Sequence, residues 1–271
     1  MSLGGLGMRG VRRRSAEEMA LLGGLVVEEN HFGPNRKPHG SAGGLRVCGA
    51  DWSRLDLDNF SVWDCVFEGC DFSDSQVKVF HMGGGMVFSE YRGCDFGGLR
   101  GANLASGRGR FVGCSFRGAR LRGFNARSMS MVDCDFTEAV VRSCVFWGAP
   151  LVMDLERDPS LPVANEFRGN DFSGADLVSC SFRRGVDLDA QKLPEADYYA
   201  RVRHAPAALE RGRELVASWD GLGDQESGQN VLNAIARDIE VDQLDQFIDV
   251  RRCKFTDPDR WQQLKQVLEQ A

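Results

Sequence analysis

Apolar residues recur along this chain at every fifth position, a period that belongs to neither an α-helix nor a flat strand. Between residues 45 and 82 the centres are Val47, Trp52, Leu57, Val62, Phe67, Phe72, Val77 and Met82, all apolar. The residues two places earlier (Leu45, Ala50, Leu55, Phe60, Cys65, Cys70, Ser75 and Phe80) are apolar or small. Polar residues and glycine fill the rest, as in Cys65-Val66-Phe67-Glu68-Gly69. The phase slips by one residue at Gly83–Gly85. It resumes at Met86, Tyr91, Phe96, Gly101, Ser106, Phe111, Phe116, Leu121, Ala126, Met131, Phe136, Val141, Phe146 and Leu151. The weak centres Gly101, Ser106 and Ala126 follow Leu99, Leu104 and Phe124, so volume lost at one inward position returns at its neighbour, as a packed interior requires. A third run holds Phe167, Phe172, Leu177 and Phe182.

The units Ala102-Asn103-Leu104 and Ala175-Asp176-Leu177, with the triplets Cys70-Asp71-Phe72, Cys94-Asp95-Phe96 and Cys134-Asp135-Phe136, carry a resemblance. Over about residues 45–193, in about twenty-six units, the chain resembles the pentapeptide-repeat family. That resemblance implies a mainly β fold, a right-handed quadrilateral β-helix in which four pentapeptides make one square coil. About seven coils are expected, a rod on the order of 30–35 Å long at the usual inter-strand spacing. Residues twenty apart should then stack. Cys94, Cys114 and Cys134 do have that spacing, as do Phe96, Phe116 and Phe136, so a cysteine ladder is expected beside a phenylalanine ladder. Seven of the nine cysteines fall on the small inward position, where a thiol acts as a compact apolar filler.

Outside the repeat the pattern changes. Residues 1–44 read as an N-terminal cap and loop, with the capping-box spacing Ser15-Ala16-Glu17-Glu18 and a loop over Gly33–Gly40. Residues 152–164, with Pro159 and Pro162, interrupt the β-helix and predict a projecting loop. Residues 194–271 turn helical: Ala205–Trp219 first, then Val231, Leu232, Ile235, Ile239, Leu244, Phe247 and Ile248 at helical spacing. Asp257-Pro258-Asp259 opens a last helix with Trp261, Leu264, Val267 and Leu268 on one face. This region is long enough to cap the rod, to mediate a homodimer, or to recruit a partner.

Composition narrows the function. No run approaches the roughly twenty apolar residues of a membrane-spanning helix. Arg12, Arg13 and Arg14 are followed at once by Glu17 and Glu18 rather than by a signal-peptide core, so a cytoplasmic protein is expected. The cysteines form no Cys-x-x-Cys pair, and His31, His39, His81 and His204 sit in no nucleophile or metal constellation. The expectation is therefore a protein that is not an enzyme and has no catalytic residue, metal or cofactor.

The formal net charge is −6, which argues against membrane or direct nucleic-acid binding. It is unevenly spread. Residues 45–82 carry seven acidic and three basic side chains, whereas 86–127 carry two acids against eight arginines. On a twenty-residue coil Arg100 lies over Arg120 and Arg122 over Arg142, which makes a basic wall. Such a wall is either a solvated face with carboxylates nearby or a docking site for an acidic protein or a phosphate backbone. The favoured function is a protein–protein interaction module or scaffold with a protein partner. Some members of the resembled family mimic a DNA duplex and bind gyrase, so a topoisomerase-binding protein is the alternative, although an arginine belt does not suit a DNA mimic. An accessory subunit of an enzyme complex is a third.

Overall fold

Each pentapeptide sends two side chains inward, the centre and the residue two before it, and then turns a corner. The corner needs a left-handed backbone, which explains the glycine in the fifth place. Gly49, Gly69, Gly93, Gly113 and Gly169 all have φ between 58° and 68°, a region open to glycine because it lacks a Cβ. The computed structural model describes residues 26–28, 37–85, 87–102, 104–105 and 107–270. The Ser15–Glu18 capping box and residues 33–36 of the Gly33–Gly40 loop lie outside them.

Repetition of the unit builds a right-handed quadrilateral β-helix with parallel pairing between successive coils. One wall is a ladder of bridges through Asp51, Asp71, Asp95, Ser115, Asp135, Asp171 and Lys192, seven rungs in all. The wall before it stacks strands centred on Val47, Phe67, Tyr91, Phe111, Met131 and Phe167. The wall after it stacks Leu57, Val77, Gly101, Leu121, Val141 and Leu177. A fourth stacks Ala126, Phe146 and Phe182. The rod starts upstream of Leu45, because His39–Gly43 already pairs in parallel with residues 59–63 and antiparallel with Val26–Glu28.

The interior is nearly continuous aromatic and aliphatic packing. Phe72, Phe96, Phe116, Phe136 and Phe172 stack at centroid separations of 4.8, 4.9, 4.8 and 4.5 Å, close to the rung spacing of a sheet. Tyr91 lies between Phe67 and Phe111 at 5.1 and 4.4 Å, and its buried hydroxyl donates to the Met82 carbonyl at 3.0 Å. Cys70, Cys94, Cys114 and Cys134 form a buried file beside the phenylalanines. The thiols of Cys70, Cys94 and Cys114 reach carbonyls of the preceding coil, as Cys114 does to Tyr91 at 3.3 Å.

The phase slip is a coil lengthened by four residues: Phe67 pairs with Tyr91, twenty-four positions on, where Val47 pairs with Phe67 at twenty. The register of the wall begins to shift between His81 and Gly84, the partners of Ser61 and Trp63. Gly83 is required there, since a Cβ would run into the Arg108 backbone, and its carbonyl accepts from Arg108 N at 2.6 Å.

Two expectations need correction. The 152–164 segment is not a plain loop: it contains helix α1 (Val152–Arg157), which buries none of its residues. Helical spacing through Leu244, Phe247 and Ile248 also misleads. Helix α2 (Ala205–Ala217) and helix α3 (Leu222–Ile239) form, but Gln246–Asp249 is a strand antiparallel to Tyr199–Val202. Gln243 ends the helical course by bonding across to the last coil, accepting from Val186 N at 3.0 Å and donating to Val186 O at 3.0 Å. Helix α4 (Pro258–Glu269) starts at Asp257, whose carboxylate accepts from Asp259 N at 2.9 Å. Tyr199 and Phe247 pack into the core of the rod, while the three long helices share a second core around Leu232, Ile235 and Leu264. Among the described residues no helix is long and apolar enough to cross a membrane.

Candidate partner-binding wall

The wall centred on Gly101, Leu121 and Val141 presents two outward columns. One runs Gln76, Arg100, Arg120, Val140 and Asp176; the other runs Ala102, Arg122, Arg142 and Val178. Register places Arg100 beside Arg120 and Arg122 beside Arg142 on adjacent rungs. All four side chains are exposed. Among the described residues none makes an ion pair, whereas the other arginines of the 86–127 stretch all do.

Those others are neutralised by local or folded-back acids. Arg92 pairs with Glu90 and Glu68, Arg117 with Glu138, and Arg110 with Glu166 at 3.0 Å. Arg108 pairs with Asp158, donates to the Ser160 hydroxyl at 3.1 Å, and is only 12% exposed. Arg127 lies 3.6 Å from Asp154 and, together with Arg183, flanks the Trp147 ring. The insertion around α1 is therefore an acidic clasp over two arginines, Arg108 and Arg127, and just after it Asn165 donates to the Arg127 and Trp147 carbonyls at 3.0 and 2.8 Å. Sequence spacing could not show this, because a segment folding back on the rod has no register with it.

Beside the unpaired arginines the wall has a depression of about 460 Å³. Val77, Gly101 and Ala102 line it together with Lys78, Arg100 and Arg120. Lys78 was missed from the sequence because plain twenty-residue spacing puts it over position 98. The four-residue bulge instead brings Val77 to Gly101, and so Lys78 to the rung of Ala102.

Around one corner the charge reverses. Asp51, Asp71, Asp95, Asp135 and Asp171 form a file down the bridge ladder. In each, Oδ1 accepts from the backbone N–H two residues on, at 2.8–3.0 Å, which closes the corner turn. Hydrogen bonds from Ser173, with Lys192 beyond, hold the Asp171 carboxyl down at about 2. The thiol file goes the other way: hydrogen bonding to Cys114 and burial push Cys94 up to about 12, and bonding to Cys134 does the same for Cys114. A protonated, buried thiol is a poor nucleophile. Among the described residues no group of histidines, cysteines and carboxylates could hold a metal ion.

A model of pentapeptide repeats, in eight copies, matches residues 110–148. None of the curated proteins matches the chain. Among solved structures, a trypsin-treated form of QnrB1, a plasmid-mediated fluoroquinolone resistance protein, is 18% identical over 56% of this chain and 69% of that one, with a TM-score of 0.23. A second trypsin-treated form is 12% identical over 57% and 81%, with a TM-score of 0.30. HetL from the cyanobacterium Nostoc, a pentapeptide repeat protein involved in heterocyst differentiation regulation, is 14% identical over 52% and 81%, with a TM-score of 0.19.

Proposed function

We propose that this chain, which belongs to the pentapeptide-repeat proteins, works without chemistry of its own, as a rigid interaction rod whose docking face is the arginine wall. One observation carries the reading: Arg100, Arg120, Arg122 and Arg142 stand exposed and without ion pairs on adjacent rungs, while their neighbours are matched with carboxylates. Side-by-side cations repel one another, and the alignment costs free energy unless a partner supplies the counter-charge. An acidic protein surface does so and gains charge-assisted, bidentate hydrogen bonds. A parallel coil sheet also holds the Cα atoms of these arginines in fixed places, which lowers the backbone part of the ordering cost of association.

Replacing Arg100, Arg120, Arg122 and Arg142 together with glutamate is expected to remove the partner that co-purifies with the chain from its native cells. Circular dichroism and the melting curve should stay close to those of the unaltered protein. An unchanged set of co-purifying proteins would sink the basic-wall reading.

A second reading has one observation behind it, the aspartate file on the neighbouring wall, which would suit a topoisomerase-binding DNA mimic. Against it, Ser115 interrupts the file and Lys192 ends it. A gyrase supercoiling assay decides: neither inhibition nor protection at micromolar protein removes this alternative.

A further inference from the structure

We infer that the occupant of the arginine wall is an extended acidic segment, with carboxylates at alternate positions, laid alongside the strands and seated in the depression over Gly101 and Ala102. This rests on reading the wall as the docking face and specifies what docks there.

Spacing is the first argument. Arg120 and Arg122 flank Leu121 on one strand, so their bases are about 6.6 Å apart, two strand residues. Same-face side chains of another extended chain repeat at that same distance. The adjacent rungs add Arg100 and Arg142 at about 4.8 Å to either side, so each carboxylate of such a segment meets a stacked pair of guanidiniums.

Shape is the second. Ala102 occupies the column that otherwise holds Lys78 on one side and Arg122 on the other. A methyl group in a row of long side chains leaves room in the depression of about 460 Å³, which Ala102 lines together with Lys78, Arg100 and Arg120. One carboxylate, Asp58, which accepts from the Lys37 backbone N–H at 3.2 Å, stands against Lys78, Arg100 and Arg120, so the net charge lining the depression is basic.

The chain supplies its own precedent as the third. Its insertion lays Asp154 and Asp158 on Arg127 and Arg108. Arginines of this rod thus already hold an acidic chain segment at one face, and those of the wall offer the same chemistry at another.

The test is fluorescence anisotropy of the full chain with two labelled peptides of about twelve residues, one alternating Asp and Ser, the other with the same residues in two blocks. The alternating peptide should bind more tightly than the block peptide, and binding should weaken with added salt. Arg120→Glu with Arg122→Glu should weaken it about tenfold or more. Ala102→Trp, which fills the depression without touching a charge, should do the same. Three results would overturn the inference: no binding, equal binding of both peptides, or displacement of the peptide by an equal concentration of inorganic pyrophosphate. Loss of the co-purifying partner on arginine reversal, together with failure of the peptide, would leave the docking face standing and remove only the extended segment. Peptide binding that is insensitive to Arg120→Glu and Arg122→Glu overturns both.

Discussion

The inward thiols show how one residue type is fitted to its place. Cys70, Cys94, Cys114 and Cys134 are each almost wholly buried, next to a phenylalanine file whose rings leave room for little more than a sulfur atom. Hydrogen bonds from one thiol to the next and burial raise Cys94 and Cys114 from 9.0 to about 12. The sign follows from linkage. In the unfolded chain these thiols lose protons near pH 9, whereas in the rod they keep them to about 12. Their contribution is therefore complete below pH 9 and is lost as the pH rises through 12. Urea midpoints should fall steadily between pH 9 and pH 11, and Cys94→Ala with Cys114→Ala should flatten that fall while lowering the midpoint at pH 7. An unchanged slope would show that the thiol file is not what titrates. In the native protein a thiol reagent should label exposed Cys48 first and half-buried Cys253 next, with the remaining seven reacting only after unfolding.

At the scale of elements, one arginine gathers several of the contacts that join the helical region to the rod. Arg251 pairs with Asp176 and Asp249, donates to the Leu177 carbonyl at 2.6 Å and to the Tyr199 hydroxyl at 3.0 Å, and lies 4.3 Å over the Tyr198 ring. Asp249, only 2% exposed, also accepts from Ser179 N at 2.8 Å. Arg251→Ala therefore leaves a carboxylate buried without its cation, which costs about 3–5 kcal/mol. Arg251→Lys restores the charge but not the planar fork and should recover only part. A loss below about 1 kcal/mol in urea titrations would contradict the role given to Arg251. The elements also show why the rod was legible in the sequence and its dressings were not. Each inward file is fixed within five residues, by a centre such as Phe116 and a corner such as Gly118, so the repeat prints itself on the chain. The strand at Phe247 and Ile248 has the same three- and four-residue spacing as the helix before it. Its identity is decided by Tyr199–Val202 and by Gln243 meeting Val186, partners more than forty residues away. The arginine wall could be read because coil stacking is periodic, while the clasp on Arg108 and Arg127 and the hollow at Ala102 come from an insertion and a bulge, which are not.

For the whole molecule, the decisive physical problem is the open end of a parallel coil stack. A solenoid has no closing edge, and its last coil presents unpaired backbone groups and half-covered core to solvent or to another chain. Here the C-terminal region answers that end group by group. Leu177 N–H donates to the Tyr199 hydroxyl, Ser179 N–H to Asp249, Arg184 N–H to the Val241 carbonyl and Val186 N–H to Gln243. Phe247 meets Phe182 edge-on at 6.2 Å and Tyr199 at 4.7 Å, so the aromatic interior of the rod ends on side chains from beyond residue 194. Removing residues 194–271 would bare Phe182, Val186 and Leu188, all nearly inaccessible in the full chain, beside four orphaned N–H groups. A polypeptide ending at residue 193 is thus expected to keep the far-ultraviolet signature of the β-helix but to associate through its bare coil. In sedimentation velocity it should run as species larger than the full chain, growing with concentration. If it instead remained in the oligomeric state of the full chain, with the same melting temperature, the helical region would not be the cap of the rod. Its surfaces, including Leu222 at 83% exposure, would then be free for another task.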